Sequence, residues 1–385
     1  MNIKKVLLLI LLNAATLCSF GQQRTYVNEY LNIGVGGRGL GMSGAQVASV
    51  SDVTSPFWNP SGIAMLTDNM QIGIMHSEYF SSIAKYDYLG ATFPLKDRKG
   101  VLGISAIRFG VDDIPYTINL LQPDGTVDYS RIKSISSADY AGLITYAKPL
   151  NIKKLEDRDD IKIYGGANFK IIHRSIGSMA TAWGVGMDFG LQGQIGRWRL
   201  GANFKDITTT YTVWSFSLTE REKQVFAQTG NEIVSQSSEV NRPRLVLGGS
   251  RLMPLKNKDL TFLGELNLDI TTDGKRYGNL INLNPISIDP RLGGELSYKK
   301  FINVRAGVGR FQRVTADADT TGTDKRTLFQ PTAGLGLKIK GFALDYAFSS
   351  LNIESTPLYS HFISIKLDIK GKNNAQNESL GEEDL

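Results

Sequence analysis

Cysteine, histidine and long apolar runs are scarce in this chain. One cysteine, Cys18, and three histidines occur in 385 residues. His76, His173 and His361 are scattered without the spacing of metal ligands, so no metal site is expected. Gly142, Ser178 and Ser250 belong to no nucleophile elbow. Asp112-Asp113 and the group Asp157, Asp159 and Asp160 fall at segment ends, where acidic residues are solvated turn residues before they are catalytic carboxylates. No hydrolase signature appears, and neither catalytic nor cofactor-binding residues are expected.

The longest early apolar run, Val6 to Leu12, is too short to cross a bilayer, which takes roughly 20 residues. Lys4 and Lys5 precede it and Ser19-Phe20-Gly21 follows it. That is the order of a secretory signal peptide, residues 1–21, leaving Gln22 as the mature N-terminus. Leu17 before Cys18 is too bulky for a lipoprotein site. Cleavage removes the only cysteine, so a disulfide framework is excluded. It also lowers the formal charge from +6 to +4, because Lys4 and Lys5 are lost and no acid goes with them. So mild a charge gives no reason to expect nucleic acid as a partner.

What the chain has in quantity is alternation. Trp183, Val185, Met187, Phe189 and Leu191 share one face of an extended segment, and Gly184, Gly186, Asp188, Gly190 and Gln192 share the other. Ile161, Ile163, Gly165, Ala167, Phe169 and Ile171 oppose Lys162, Tyr164, Gly166, Asn168 and Lys170. The same contrast runs through 197–205, 342–348 and 363–369. A Lys or Arg that faces lipid at mid-depth costs roughly 2–4 kcal/mol. The apolar faces must therefore look outward at lipid and the glycine-rich polar faces inward, which defines an all-β, transmembrane antiparallel β-barrel.

About fourteen such segments are legible: 69–79, 84–93, 101–110, 137–147, 161–173, 183–194, 197–204, 243–252, 259–268, 291–299, 302–311, 331–339, 341–349 and 360–369. Connections leaving odd segments are mostly long (111–136, 205–242, 269–290, 312–330). Those leaving even ones are mostly short (Ile195-Gly196, Lys300-Phe301, Lys340, 253–258), with 148–160 of intermediate length. Outer-membrane barrels sort their loops this way, long ones outside and short turns in the periplasm. The barrel is expected over 69–370 with both termini periplasmic, and 371–385 as a disordered polar tail.

Residues 22–68 are not strand-like and are rich in small residues, which suit a hatch packed in the lumen. A short helix is expected within Gly44–Val53. Gly34-Val35-Gly36-Gly37-Arg38-Gly39 matches G-x-G-x-x-G, but no strand precedes it and no βαβ unit surrounds it, so it reads as tight backbone rather than a dinucleotide site. Asp317-Ala318-Asp319-Thr320-Thr321-Gly322 opens like a calcium loop, yet Leu328 stands where the bidentate acid belongs.

The stretch from Gly36 to Ala45 (GGRGLGMSGA), followed by Ser51 to Ile63 (SDVTSPFWNPSGI), resembles the start of FadL-like outer-membrane barrels. Those carry an R-x-x-G-M-G-G-A stretch and an N-P-A-G motif in a luminal hatch. Further along, Phe109 to Thr117 (FGVDDIPYT), Ser137 to Tyr140 (SADY), Gly201 to Ile207 (GANFKDI), Asp345 to Phe348 (DYAF) and Tyr359 to Ser364 (YSHFIS) resemble the PorV/PorQ family of the type IX secretion system of Bacteroidetes. The resemblance implies a FadL-like barrel of fourteen strands. It implies a hatch built on Arg38, Trp58, Asn59, Pro60, Ser61 and Gly62. It also implies a non-enzymatic role in type IX protein secretion, binding or shuttling cargo with C-terminal signals between translocon and surface attachment machinery. Other secretion components, secreted cargo and outer-membrane lipid would then be the partners. Tyr116, Trp214, Phe216 and Phe226, in the long outer loops, are the candidate partner-binding residues. The alternative that the FadL likeness implies is a channel for uptake of hydrophobic small molecules.

Overall fold

The alternating segments pair edge to edge around a ring. The computed structural model describes residues 27–96, 99–120, 122, 125–152, 158, 160–230, 235–272, 281–283, 285–315, 325–353 and 356–370. The expected signal peptide, the polar tail, the Asp317–Gly322 stretch, Asp157 and Asp159 lie outside the described residues. The strands are β1 (Asn69–Tyr79), β2 (Ala84–Pro94), β3 (Val101–Tyr116), β4 (Lys133–Pro149), β5 (Ile161–Ile176), β6 (Ala180–Ile195), β7 (Trp198–Lys205), β8 (Thr210–Phe216), β9 (Gln236–Asn241), β10 (Arg244–Pro254), β11 (Leu260–Thr271), β12 (Ile281–Leu283), β13 (Ile286–Tyr298), β14 (Ile302–Thr315), β15 (Lys325–Ile339), β16 (Phe342–Ile353) and β17 (Thr356–Lys370). β8 and β9 continue the paths of β7 and β10, and β12 only extends β13, so fourteen strands make the wall. β1 pairs antiparallel with β17 from Asn69↔Lys370 to Glu78↔His361 and closes the barrel.

The burial pattern is inverted relative to a water-soluble barrel. Trp183 (61 % exposed), Ile104 (58 %) and Leu335 (57 %) point outward, and Asn168, Lys170, Asp188, Glu265 and Arg305 are buried inside. This is the distribution of a chain whose outer solvent is lipid, and the fold is that of an outer-membrane barrel. No helix of the described residues is long and apolar enough to cross a membrane; the strands do so.

The strands run further than the alternation shows. β3 extends to Tyr116 and β4 starts at Lys133, so the loop expected over 111–136 shrinks to 117–132. β14 and β15 shorten 312–330 in the same way. Beyond the lipid both faces of a strand meet water, so the hydrophobic period that marks the buried part disappears while the hydrogen-bond ladder continues. The loop parity is also looser than expected. On the long-loop end, β1–β2 and β5–β6 are joined tightly, and β16–β17 meet at Ile353↔Thr356. The region 205–242 departs most from the expected loop. It contains β8, a helix at Glu220–Gln228 and β9.

Asn69 and Lys370 are register partners, so both ends of the wall lie at the rim that carries the tight turns at Gly196 and Lys340. If that rim is periplasmic, a membrane-impermeant maleimide on intact cells should label Val225→Cys, in the helix at the opposite rim, and leave Lys340→Cys unlabelled. The reverse pattern would invert the orientation.

Candidate functional site

Residues 27–65 fill the barrel, and the wall supplies the hydrogen bonds that their backbone lacks. Only short helical turns form: Glu29–Asn32, Gly37–Gly41, Ser55–Trp58 and Pro60–Met65. Gly44–Val53 makes turns instead of the expected helix. Its carbonyls are taken from outside: Gln192 Nε2 donates to the oxygens of Val47, Ala48 and Val50 at 3.0–3.2 Å, and Asn267 Nδ2 donates to Gly44 O. Asn168 donates to Pro56 O at 2.6 Å, Tyr88 to Val53 O at 2.6 Å, and Thr332 to Gly41 O at 3.1 Å. A buried backbone group left unpaired costs about 1–3 kcal/mol. The inward Asn, Gln and Thr residues thus do for this segment what a helix or sheet does elsewhere.

Asn59 is the hub of the segment and fully buried. Its Nδ2 donates to Val47 O and to Leu191 O, both at 3.0 Å, and its Oδ1 accepts from Ser61 N and Ser61 Oγ. This caps the Pro60–Met65 turn, with Pro60 at its first position, where a missing N–H does no harm. Gly62 leaves no room for a side chain, because a Cβ there would meet Val50 O at 2.6 Å. Trp58 donates its indole N–H to Val35 O at 2.8 Å, and Asn203 donates to Trp58 O. The wall yields in turn: a Cβ at Gly201 would run into Val47 O, and one at Gly166 would meet the Pro60 carbonyl at 2.6 Å. Within the G-x-G-x-x-G match, Gly37 N donates to Ser364 Oγ, which fixes that stretch to β17.

Charge pins both flanks. Arg38 grips Glu295 with two bonds of 3.0 and 3.2 Å. Glu295 also accepts from Arg305 at 2.6 Å, and Arg305 donates to Asp345 at 2.7 Å. Lys366 lies 3.3 Å from Asp345 and 2.7 Å from Asp52. The series begins and ends on the luminal segment and crosses β13, β14, β16 and β17. Of its members, Arg38 is the one expected among the hatch residues; Asp52 and Asp345 stand in other stretches of the resemblance, and Glu295, Arg305 and Lys366 in none.

A second buried cluster sits where the wall breaks. Between β7 and β8, residues 206–209 face only Arg242 and Pro243 on one side, as Lys205↔Arg244 and Thr210↔Asn241 bracket them. Proline has no N–H for the ladder. Asp206 closes the break: its backbone N–H donates to Asp188 at 2.8 Å, and its carboxylate accepts from Lys170 and Thr210. Lys170 also meets Asp188 at 2.8 Å.

The four candidate partner-binding aromatics are not loop residues. Tyr116 ends β3 and donates its hydroxyl to Glu222 of the outer helix. Burial alone would raise the Glu222 carboxyl, but bonds from Tyr116 and from the Thr219 N–H and hydroxyl outweigh it and hold the carboxyl below its ordinary range. Trp214 lies inward on β8 and is buried, with Arg174 5.0 Å over its ring. Phe216 ends the same strand and stacks on Trp214, and Phe226 is half-buried on the helix. The stretch from Thr208 to Phe216 (TTTYTVWSF) carries the β-branched and aromatic residues of a strand. That was the available signal.

Two cavities flank the luminal segment. The outer, of about 730 Å3, is lined by Asn28, Tyr30, Arg174, Trp214, Arg244 and Asp289 among others; the inner, of about 650 Å3, by Arg38, Asp52, Arg199, Glu295 and Lys366 among others. Charged and polar residues are the majority in both linings, and aromatic and aliphatic ones such as Tyr30, Phe109 and Leu263 share the surface. Among the described residues no cluster of His, Cys, Asp and Glu is suited to a metal ion.

No protein-family model matches the chain, and no curated protein matches it in sequence. Solved structures do. The CymD monoaromatic hydrocarbon channel aligns with a TM-score of 0.52 at 12 % identity, covering 88 % of this chain and 98 % of its own. The toluene transporter TbuX of Ralstonia pickettii aligns at 0.51 and 11 % identity, with coverages of 88 % and 98 %. A FadL homologue of Pseudomonas aeruginosa aligns at 0.50 and 10 %, with coverages of 87 % and 98 %. At these identities the likeness is one of fold: a FadL-like outer-membrane barrel.

Lys170→Met leaves two buried carboxylates facing each other at the wall break. Losing one partner of a buried ion pair costs about 3–5 kcal/mol. The variant should unfold at distinctly lower urea concentration from lipid vesicles, and adding Asp188→Asn and Asp206→Asn should restore most of the loss. Unchanged unfolding in Lys170→Met would show that the cluster carries no stability.

Proposed function

We propose that the chain is a non-enzymatic outer-membrane barrel that admits small hydrophobic solutes, with residues 27–65 acting as its hatch. The observation that carries this reading is the extent of the likeness to hydrocarbon and toluene channels, which covers 88 % of this chain and 98 % of theirs. The luminal segment occupies the space through which a solute would pass, so passage requires it to shift. Its hold is electrostatic at both flanks, through Arg38 and Asp52, and is therefore open to competition by charge.

A second reading rests on the chemistry of the lumen. Small-molecule sites are mostly apolar with a few placed polar groups, whereas both cavities here are lined chiefly by charged and polar side chains. A barrel locked by buried ion pairs suits a protein partner better than a hydrocarbon. Together with the sequence resemblance to PorV/PorQ proteins, this favours a component of type IX secretion that binds cargo or translocon subunits.

The two readings part in one strain. Deleting the protein should slow uptake of labelled toluene several-fold and leave secretion of proteins with type IX C-terminal signals unchanged. Loss of that secretion with normal toluene uptake, and recovery of secretion components with the natively purified barrel, would reject the channel in favour of the second reading.

A further inference from the structure

The inner cavity holds more positive charge than the luminal segment engages. Seven lysines and arginines line it against five carboxylates. Arg38, Arg305 and Lys366 are committed to Glu295, Asp345 and Asp52. The other four, Arg197, Arg199, Lys300 and Lys338, make no ion pair with a carboxylate of the described residues. Arg199 donates to an uncharged acceptor, Ser49 O, at 3.4 Å. Arg197, Lys300 and Lys338 are exposed. Arg197 stands in the turn between β6 and β7, Lys300 in the turn between β13 and β14, and Lys338 next to the end of β15. Like charges spaced around a partly enclosed mouth reinforce one another's potential and draw a polyanion to it.

We propose that the polyanion belongs to this same chain: residues 371–385 dock in the inner cavity as an acidic cover against the luminal segment. The wall delivers them there. Asp368 lines the cavity, and β17 ends two residues later, at Lys370, on the same rim. The stretch that follows carries Glu378, Glu382, Glu383 and Asp384 against one lysine, Lys372. Its acids are thus gathered at the far end, away from the strand that anchors them. Eight residues separate Lys370 from Glu378, an extended reach of about 26–29 Å. Fourteen strands spaced about 4.8 Å and tilted near 40° make a ring roughly 28 Å wide, so the acids can meet cations anywhere around the mouth. One exposed ion pair alone holds little. Several pairs formed by a segment anchored at the rim hold more, because the anchor keeps it at an effective concentration on the order of millimolar. Leu252, Leu263 and Leu337 offer Leu380, between the acids, an apolar surface in the same cavity. This inference goes beyond the transport reading and does not depend on it: a solute or a secretion partner that uses this mouth must first displace the cover.

The test is the distance between two nitroxides on the full barrel in lipid, measured by pulsed electron paramagnetic resonance. They are carried by Leu380→Cys and by Leu255→Cys, an exposed residue of the β10–β11 turn at the same rim, in a Cys18→Ser background. In about 0.1 M salt, where the screening length is about 10 Å, the distance distribution should be narrow; in about 1 M salt, where it falls to about 3 Å, it should broaden. Neutralising the acids (Glu378→Gln, Glu382→Gln, Glu383→Gln and Asp384→Asn together) should broaden it at low salt, and so should Arg197→Gln, Lys300→Gln and Lys338→Gln together. The first set lies outside the wall and serves if the second fails to fold. Exchanging the signs, with the four acids changed to lysine and the three cations to glutamate, should narrow the distribution again. Added hexaglutamate should bind the acid-neutralised barrel at least tenfold more tightly than the unaltered one, whose cavity is already covered. A broad distribution in the unaltered barrel at low salt overturns the proposal, as does one that no charge change alters. Equal binding of hexaglutamate by both barrels also overturns it, and gives the cavity to a separate acidic partner.

Discussion

Six alternating charges, Arg38, Glu295, Arg305, Asp345, Lys366 and Asp52, fasten the inside of this barrel to its wall. Each is expensive to bury alone, and each becomes tolerable because its neighbours are in place. The constraint propagates outward. Strands that contribute charges to the lumen must turn their other face to lipid, and that face must then be apolar, as Leu292, Val304 and Ile363 are. It propagates inward as well. The segment that supplies the first and last charges must stay extended enough to reach both, so its backbone cannot satisfy itself as a helix. The wall satisfies it instead, through Gln192, Asn168, Asn203 and Asn267.

Close approach is the second requirement. A lumen ringed by fourteen strands has room for one thickness of chain only if the wall gives up side chains where that chain touches it. Gly166 and Gly201 do so opposite Pro60 and Val47. Glycine weakens a strand in isolation. In this barrel the loss is offset by carbonyl and amide contacts that no larger residue would permit. The wall break at 206–209 answers to the same logic: two carboxylates and a lysine occupy the space where the ladder is missing, and Ile207 N still donates to Met187 O at 2.9 Å.

The architecture was legible in the sequence because lipid imposes a strict contrast between alternate residues, and wherever that contrast holds, as in 183–192, the strand and its facing can be read directly. It was not legible beyond the membrane, where Ile114 to Tyr116 and Lys133 to Ser136 continue the ladder without any apolar period. The ion series was half legible. Arg38 stands in a recognisable stretch, and Asp345 and Lys366 belong to polar faces, but a partner 257 positions away, as Glu295 is from Arg38, follows only from ring closure and register. Trp214 and Phe216 show the opposite failure. Their residue types signal a strand, yet their place in a long connection suggested free aromatics, and the fold turns Trp214 into the lumen.

Amide hydrogen exchange across residues 27–65, compared between the native barrel and Glu295→Gln in lipid, tests the central claim most directly. If the charge series fastens the segment, its amides in the native protein exchange as slowly as those of the wall strands. Glu295→Gln, which leaves Arg38 and Arg305 without their shared carboxylate, should then speed exchange from Gly36 through Thr54 by at least a hundredfold while the strands stay protected, since breaking a buried pair costs about 3–5 kcal/mol. Fast exchange of the segment in the native protein, or equal protection in the variant, would contradict it.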